Sequence, residues 1–324
     1  MKEILITKEN SNQRIDKFIR KFLNEAPLSL IYKTFRKKDI KINGKPVKEN
    51  YILCEGDVLR VYISDEKINE FNKPKDISKI NCSLNIIYED QNILIVFKPK
   101  GILTQGDSTE KRMTLSNQVL SYLYNKGEFK NDGSSFTPSP CHRLDRNTSG
   151  LVIFAKNVFS SQIIMEKLKT HEEITKKYLL LVKGQTEKSG EIDAPLKKDE
   201  NSGFVKVASL NNGGKSAKTI YKTLSFCSDY SLVEATLVSG RTHQLRVHFS
   251  YIKHPIVGDS KYGDFALNKK FNAKYDYDSQ FLHAYKLIFN IKDGELGYLN
   301  GKEFIAPLSK KEKNILDDLG LKLL

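Results

Sequence analysis

The first regular pattern of apolar and polar positions begins at Asn12. Ile15, Phe18, Ile19, Phe22 and Leu23 recur at helical spacing, with Arg14, Lys17, Arg20 and Lys21 between them, which predicts an amphipathic helix. A second short helix carries Leu30, Ile31 and Phe35 and ends in Arg36-Lys37-Lys38. Ile40-Lys41-Ile42 then alternates, Asn43-Gly44 makes a hairpin turn, and Val58-Leu59-Arg60-Val61-Tyr62 alternates after Glu55-Gly56-Asp57. Two helices and a small ribbon therefore occupy residues 1–65. From 66 to 82 polar residues replace the pattern, which predicts a linker.

Residues 83–324 read as a second, larger domain rich in strands. Apolar runs predict strands at Leu84–Tyr88, Ile93–Phe97, Leu151–Ala155 and Tyr178–Val182, then around Lys218–Leu224, Leu232–Val238, Arg241–Phe249 and Phe281–Ile291. Helical spacing appears around Leu115–Leu123, in Phe159, Ile163, Ile164 and Leu168, and over the tail from Ser309 to Leu324. Hairpin-length turns between several strands, with few helices, favour an α+β fold with a mixed, mainly antiparallel sheet over a parallel βαβ arrangement.

Charge changes the picture. The chain of 324 residues has 39% hydrophobic and 28% charged residues, ordinary values, but a net charge of +14. Such an excess points to a polyanionic partner, nucleic acid first, because lysines and arginines that neutralise phosphates release counterions. The lysines are not gathered on one amphipathic helix, which argues against a membrane surface. No signal-peptide core and no run of 18 apolar residues occurs, and the four cysteines form no C-x-x-C pair; a cytoplasmic protein with reduced thiols is expected. The six histidines show no metal spacing, and Gly214-Lys215-Ser216 lacks the glycine that a phosphate-binding loop needs at position 209, which is Ser.

Two stretches carry candidate chemistry. In His142-Arg143-Leu144-Asp145-Arg146-Asn147-Thr148-Ser149-Gly150 one carboxylate sits between two arginines on a loop that feeds a buried strand. A surface turn with local ion pairs and an active-site loop are both compatible with it. In Ser239-Gly240-Arg241-Thr242-His243-Gln244-Leu245-Arg246-Val247-His248 basic groups are embedded among apolar neighbours, which is costly unless they are paired or functional. Read as a strand, this segment puts Arg241, His243, Leu245 and Val247 on one face and Thr242, Gln244, Arg246 and His248 on the other. The partner of its charges is a buried carboxylate elsewhere in the chain.

Taken together, these segments closely resemble the pseudouridine synthases of the RluA family. The resemblance rests on His142–Asp145 with Thr148–Leu151, Lys177-Tyr178-Leu179, Gly240–His248, His254–Asp259, Tyr262-Gly263, Leu282-His283-Ala284 and Ala306-Pro307-Leu308. The first 65 residues resemble an S4 domain, an RNA-binding module, through Arg14–Phe18, Ile31-Tyr32, Arg36-Lys37, Ile42–Lys45 and Gly56-Asp57. The resemblance implies that Asp145 is the catalytic carboxylate, that Tyr178 stacks on the uracil, that Arg246 pairs with Asp145, and that Arg143 fills the place of the flipped base. His142, Arg241, Leu245 and Leu282 are then substrate-binding residues, and Arg20, Arg36, Lys37, Lys38 and Lys41 form the RNA-binding surface. The implied activity is isomerisation of uridine to pseudouridine by a monomer, in 23S ribosomal RNA. Transfer RNA as target, a non-catalytic RNA-binding ribosome-assembly factor, and an N-glycosidase that stops at bond cleavage are the rivals. No cofactor or metal is expected, because an isomerisation needs neither a redox step nor an energy source. Ser239, Lys177 and the long polar segment Phe265–Gln280 depart from the family pattern.

Overall fold

In the computed structural model all residues are described except 9, 73–79, 81, 82, 108, 131–135, 171, 201 and 324. The N-terminal unit contains β1 (Lys2–Leu5), α1 (Ile15–Phe22), α2 (Leu28–Arg36), β2 (Ile40–Ile42), β3 (Lys45–Pro46), β4 (Val58–Val61) and α3 (Asp65–Phe71). Its strands pair in the order β1-β4-β2-β3, and Phe18, Ile19, Phe22, Ile31, Leu59 and Val61 share one core beneath the two helices. The apolar stripe of α1 faces this core as its spacing requires. Two features escaped the pattern. The N-terminal strand β1 has alternation too short to stand out. Residues 66–71, expected to begin a linker, form most of α3, because Ser64 caps the helix and Ile68 packs into the N-terminal core. Residues 73–79, 81 and 82 of the expected linker lie outside the described residues.

The larger unit contains β5 (Asn85–Glu89), β6 (Ile93–Lys98), α4 (Leu115–Asn125), β7 (Ser139–Pro140), β8 (Ser149–Ala155), α5 (Val158–Thr170), β9 (Ile174–Lys183), β10 (Ser189–Asp193), β11 (Leu196–Lys198) and β12 (Val205–Val207). It continues through β13 (Lys218–Phe226), β14 (Tyr230–Leu237), α6 (Gln244–Tyr251), α7 (Phe265–Tyr275), β15 (Leu282–Phe289), β16 (Glu303–Ile305) and α8 (Lys310–Asp318). The main sheet runs β10-β13-β14-β9-β15-β8-β6-β5. The β15–β8 contact is parallel and the other neighbours on this path are antiparallel, so the sheet is mixed and mainly antiparallel as expected. The segment Phe265–Gln280 begins with α7, whose Asp264 cap accepts from the Leu267 amide. The terminal helix starts at a capping box between Ser309 and Glu312 and ends at Asp318, short of the expected Leu324.

The strand expected over Arg241–Phe249 is instead the helix α6. Gln244, Leu245, Arg246, Val247, His248 and Phe249 are all buried and exposure returns only at the last residue, Tyr251, so the expected segment has no solvent-facing side to give it a 3.6-residue period. His243 enters it in the left-handed conformation. The Gln244 side chain fixes the entry: its Oε1 accepts from Ser239 Oγ at 2.7 Å and the Arg241 amide at 3.0 Å, while its Nε2 donates to the Lys218 carbonyl at 2.9 Å.

The parallel contact between β8 and β15 depends on Gly150. Its φ is +124°, and a Cβ there would lie 2.1 Å from the Ala284 carbonyl oxygen, its cross-strand partner. Gly150→Ala is therefore expected to destabilise the fold by at least about 1–3 kcal/mol, through backbone strain and overpacking. Thermal melting checks this; an unchanged midpoint would show that the two strands can separate freely.

Candidate active site

The loop before β8 carries Asp145, and several bonds hold its backbone. The Leu144 amide donates to Thr104 Oγ1 at 3.1 Å, and that hydroxyl donates to the Leu144 carbonyl at 3.0 Å. The Thr148 amide donates to the Asp145 carbonyl. Lys98, fully buried at the end of β6, places its ammonium on three carbonyls: Pro99 at 2.9 Å, Ile102 at 2.8 Å and Arg146 at 2.9 Å. Burial lowers this lysine to about 7, against the attraction of Asp145. A charged residue closing an uninterrupted apolar strand is the sequence signal for Lys98.

Arg246 reaches Asp145 from α6, with Nη1 3.0 Å from Oδ2. Its other face is bidentate to Asp259, with Nε to Oδ2 at 2.7 Å and Nη2 to Oδ1 at 2.8 Å. Asp259 is the buried carboxylate required by the basic segment, in addition to Asp145. It is fully buried and accepts from the amides of Lys261 and Tyr262, so its orientation is fixed by a turn. Burial alone would lower the guanidinium and raise the Asp259 carboxyl. The pairing outweighs it, raising Arg246 and lowering Asp259.

Tyr178 faces the same space from the central strand β9. Its cross-strand neighbours are Ala235 on β14 and Ala284 on β15, two small residues that leave room beside the ring on this sheet face. Burial, reinforced by the Asp145 charge, raises its phenol and keeps it protonated at neutral pH. His243, which the sequence left without a role of its own, stands 3.9 Å from Asp145 Oδ2 through Nε2, while Nδ1 is 2.8 Å from the Tyr262 hydroxyl. Burial lowers this imidazole, so it is mainly neutral.

These groups border a cleft of about 1080 Å³ lined by Asp145, Tyr178, Arg246, Arg143, Arg241 and His142, among others. Arg143 is exposed on its wall. Arg241 donates through Nε to the Ser216 carbonyl at 2.9 Å. His142 belongs to the wall, its Nε2 accepting from the Ile153 amide at 3.2 Å. A second cavity of about 70 Å³, which shares Asp145, Tyr178 and Arg246 with the cleft, is bounded by Leu245 and Leu282. The sequence-selected residues of the larger domain thus meet at one place. The five cations of the N-terminal unit are not among the residues lining this cleft. Arg36, Lys37 and Lys38 are exposed at the end of α2; Arg20 lies over Tyr32 and bonds its hydroxyl; the Lys41 ammonium stands 4.8 Å from the Tyr62 ring centroid. Among the described residues, no cluster of histidine, cysteine and carboxylate side chains could hold a metal ion, and no helix is long and apolar enough to cross a membrane.

A carboxylate beside a fixed guanidinium, with an aromatic side chain in the same basic cleft, suits chemistry at a sugar carbon that gains positive charge. Comparison with known proteins agrees. Residues 92–251 match the family model described as RNA pseudouridylate synthase. An uncharacterised RNA pseudouridine synthase of Bacillus subtilis is 32% identical over 98% of this chain and 97% of its own length. The ribosomal large subunit pseudouridine synthase C of Haemophilus influenzae is 33% identical over 98% of this chain and 95% of its own. Among solved structures, the human RNA pseudouridylate synthase domain containing 4 shares the fold, with a TM-score of 0.59 at 23% identity over 74% of this chain and 94% of that one. With matches that run nearly end to end and a site of matching chemistry, the chain belongs to the RNA pseudouridylate synthase family.

Proposed function

We propose that this protein isomerises uridines of large-subunit ribosomal RNA to pseudouridine, with Asp145, Tyr178 and Arg246 as its catalytic residues. The observation that carries the reading is the 3.0 Å contact between Arg246 and Asp145 in a cleft that Tyr178 also lines. The full-length similarity to proteins named ribosomal large subunit pseudouridine synthase C supports the choice of RNA.

In this reading a uridine leaves the RNA stack and its base packs on Tyr178, an exchange of stacking partners that offsets a few kcal/mol of unstacking. Arg143 enters the place it left, and Arg241, Leu245 and Leu282 bound the nucleotide. The Asp145 carboxylate, held by Arg246, acts on the ribose as nucleophile at C1′ or as base. The C1′–N1 bond breaks, the uracil turns, C5 bonds to C1′ as Asp145 is released or returns the proton it took, and the proton lost from C5 is matched by one taken up at N1. Atoms and electrons balance without any co-reactant.

The N-terminal unit is read as an S4-like RNA grip. Arg36, Lys37 and Lys38 are exposed, and among the described residues no carboxylate pairs with them. Arg20 and Lys41 extend the same basic surface, and the enzyme works as a monomer. Replacing Arg36, Lys37 and Lys38 together by alanine is expected to weaken RNA binding at all sequences. It should also flatten the salt dependence of log K by about two to three, since each phosphate contact contributes about 0.7–0.9. Filter binding across a salt series checks this.

The deciding experiment incubates the protein with unmodified 23S ribosomal RNA and transfer RNA transcripts and maps pseudouridine in each. Pseudouridine in the ribosomal transcript alone is expected. Modification confined to transfer RNA, release of free uracil, or binding with no product would replace the reading with a rival.

A further inference from the structure

We propose that Lys176, with the His142 imidazole behind it, forms a phosphate subsite that receives an RNA phosphodiester next to the target uridine. The inference rests on reading the cleft as the RNA site, and it begins with a lysine that lacks what every other deeply placed lysine has. Lys98 has three carbonyls. Lys100 has Glu312 at 2.9 Å and the Gln280 carbonyl at 2.9 Å. Lys156 has Glu89 at 3.0 Å, Glu128 at 2.5 Å and the Asp90 carbonyl at 2.7 Å. Lys176 is only 7% exposed, and among the described residues no group accepts from its ammonium, which is not sealed off but opens on the cleft.

An ammonium that meets solvent only through the cleft is poorly hydrated, and an anion that enters the cleft would take the place of that water. His142 repeats the anomaly. Its Nε2 accepts from the Ile153 amide, so the ring proton sits on Nδ1, which is buried with no hydrogen-bond partner. One donor that opens on the cleft and one sealed behind it therefore lack protein acceptors. At this end the wall is completed by Cys141, Met165, Leu168 and Lys169, none of which offers a carboxylate, while Lys169 adds a second positive charge. Burial lowers the Lys176 ammonium to about 8, and Lys176 is the charge that lowers His142 after burial itself, which sets the two groups close together.

The strand supplies the register. Lys176 and Tyr178 are alternate residues of β9 and both line the cleft, so they lie on one face about 6.6 Å apart along the strand. One nucleotide of extended RNA bridges that distance. With the uracil on Tyr178, the adjoining phosphodiester falls to Lys176. A phosphate oxygen accepts from an ammonium as well as a carboxylate does, and it is present only when RNA is bound.

The test compares the full-length wild type with K176M, K176Q and K176R, using unmodified 23S ribosomal RNA transcript as probe. In K176M and K176Q, KM and the dissociation constant for the transcript are expected to rise about tenfold. The salt slope should become shallower by about one contact's worth, 0.7–0.9. The rate at saturating RNA should stay within about twofold. K176M without RNA should melt at a higher temperature, because a poorly hydrated charge is gone, and K176R should keep near-wild-type affinity. A merely structural lysine would not give higher stability together with weaker binding. Wild-type affinity and salt slope in both neutral variants would overturn the proposal, and so would a fall in saturated rate with KM unchanged. If the wild type makes no pseudouridine on the transcript, the proposed function fails, while the binding arm still reports on Lys176 by itself.

Discussion

Asp145→Asn is expected to reduce pseudouridine formation by at least about 10³-fold while the protein stays folded and still binds RNA. The magnitude follows from its place in the proposed reaction: removing a positioned general base alone costs about 10²–10⁴-fold, and loss of a nucleophile is no milder. The structure says why the fold survives. Arg246 keeps its bidentate hold on Asp259, and the asparagine carbonyl can still accept from Nη1, so no buried charge is left alone. The loop backbone is tied by Thr104 and Lys98, neither of which touches the Asp145 carboxylate. Single-turnover assays by pseudouridine mapping, with a melting curve and an RNA-binding isotherm on the same sample, separate the three quantities. Residual activity within tenfold of wild type would remove Asp145 from the chemistry. Release of uracil by the wild type would redirect the reading to an N-glycosidase.

The asparagine variant probes the part of the molecule that the sequence showed best. The apolar run Leu151–Ala155 belongs to a central strand buried along its whole length, so composition alone marks it, and Asp145 lies four residues before that strand's first residue, Ser149. The expected partnership with Arg246 spans a sequence separation of 101 residues and holds at 3.0 Å. The helix around that arginine was hidden for a physical reason. Periodicity reports a contrast between wet and dry faces, and α6 is buried from Gln244 to Phe249. Its alternation of polar and apolar letters imitates a strand because each polar side chain has a buried partner: Gln244 on Lys218, Arg246 on Asp259, His248 on Thr219 and Ala194. The same limit hid Asp259. A buried ion is recognised by its partners, and those come from elsewhere in the chain. Helix α3 was missed for the opposite reason: a single buried position, Ile68, is too little apolar signal to lift a short polar helix above its surroundings.

Arg246→Met is expected to lose stability and activity together, and a second substitution should separate the two losses. Arg246 is one guanidinium shared between two carboxylates, and methionine takes away both contacts. Asp259 is then left fully buried with only its backbone donors, and breaking a buried pair from one side costs about 3–5 kcal/mol, or on the order of 10 °C in melting temperature for a chain of this size. Asp145 is half-exposed and pairs with Arg246 through one bond only, so it loses orientation more than stability. Removing the second charge in the double variant Arg246→Met, Asp259→Asn should restore much of the melting temperature, since the asparagine carbonyl still accepts from the Lys261 and Tyr262 amides. It should leave the rate low by about 10²-fold or more, because nothing then holds the Asp145 carboxylate at the ribose. Arg246→Lys completes the set. A single ammonium keeps the charge but cannot serve Asp259 in a bidentate fashion and reach Asp145 at once, so an intermediate fall in rate with a smaller fall in stability is expected. If the double variant recovered activity along with stability, Arg246 would be a structural counter-ion for Asp259 alone. The 3.0 Å contact to Asp145 would then be incidental to the chemistry.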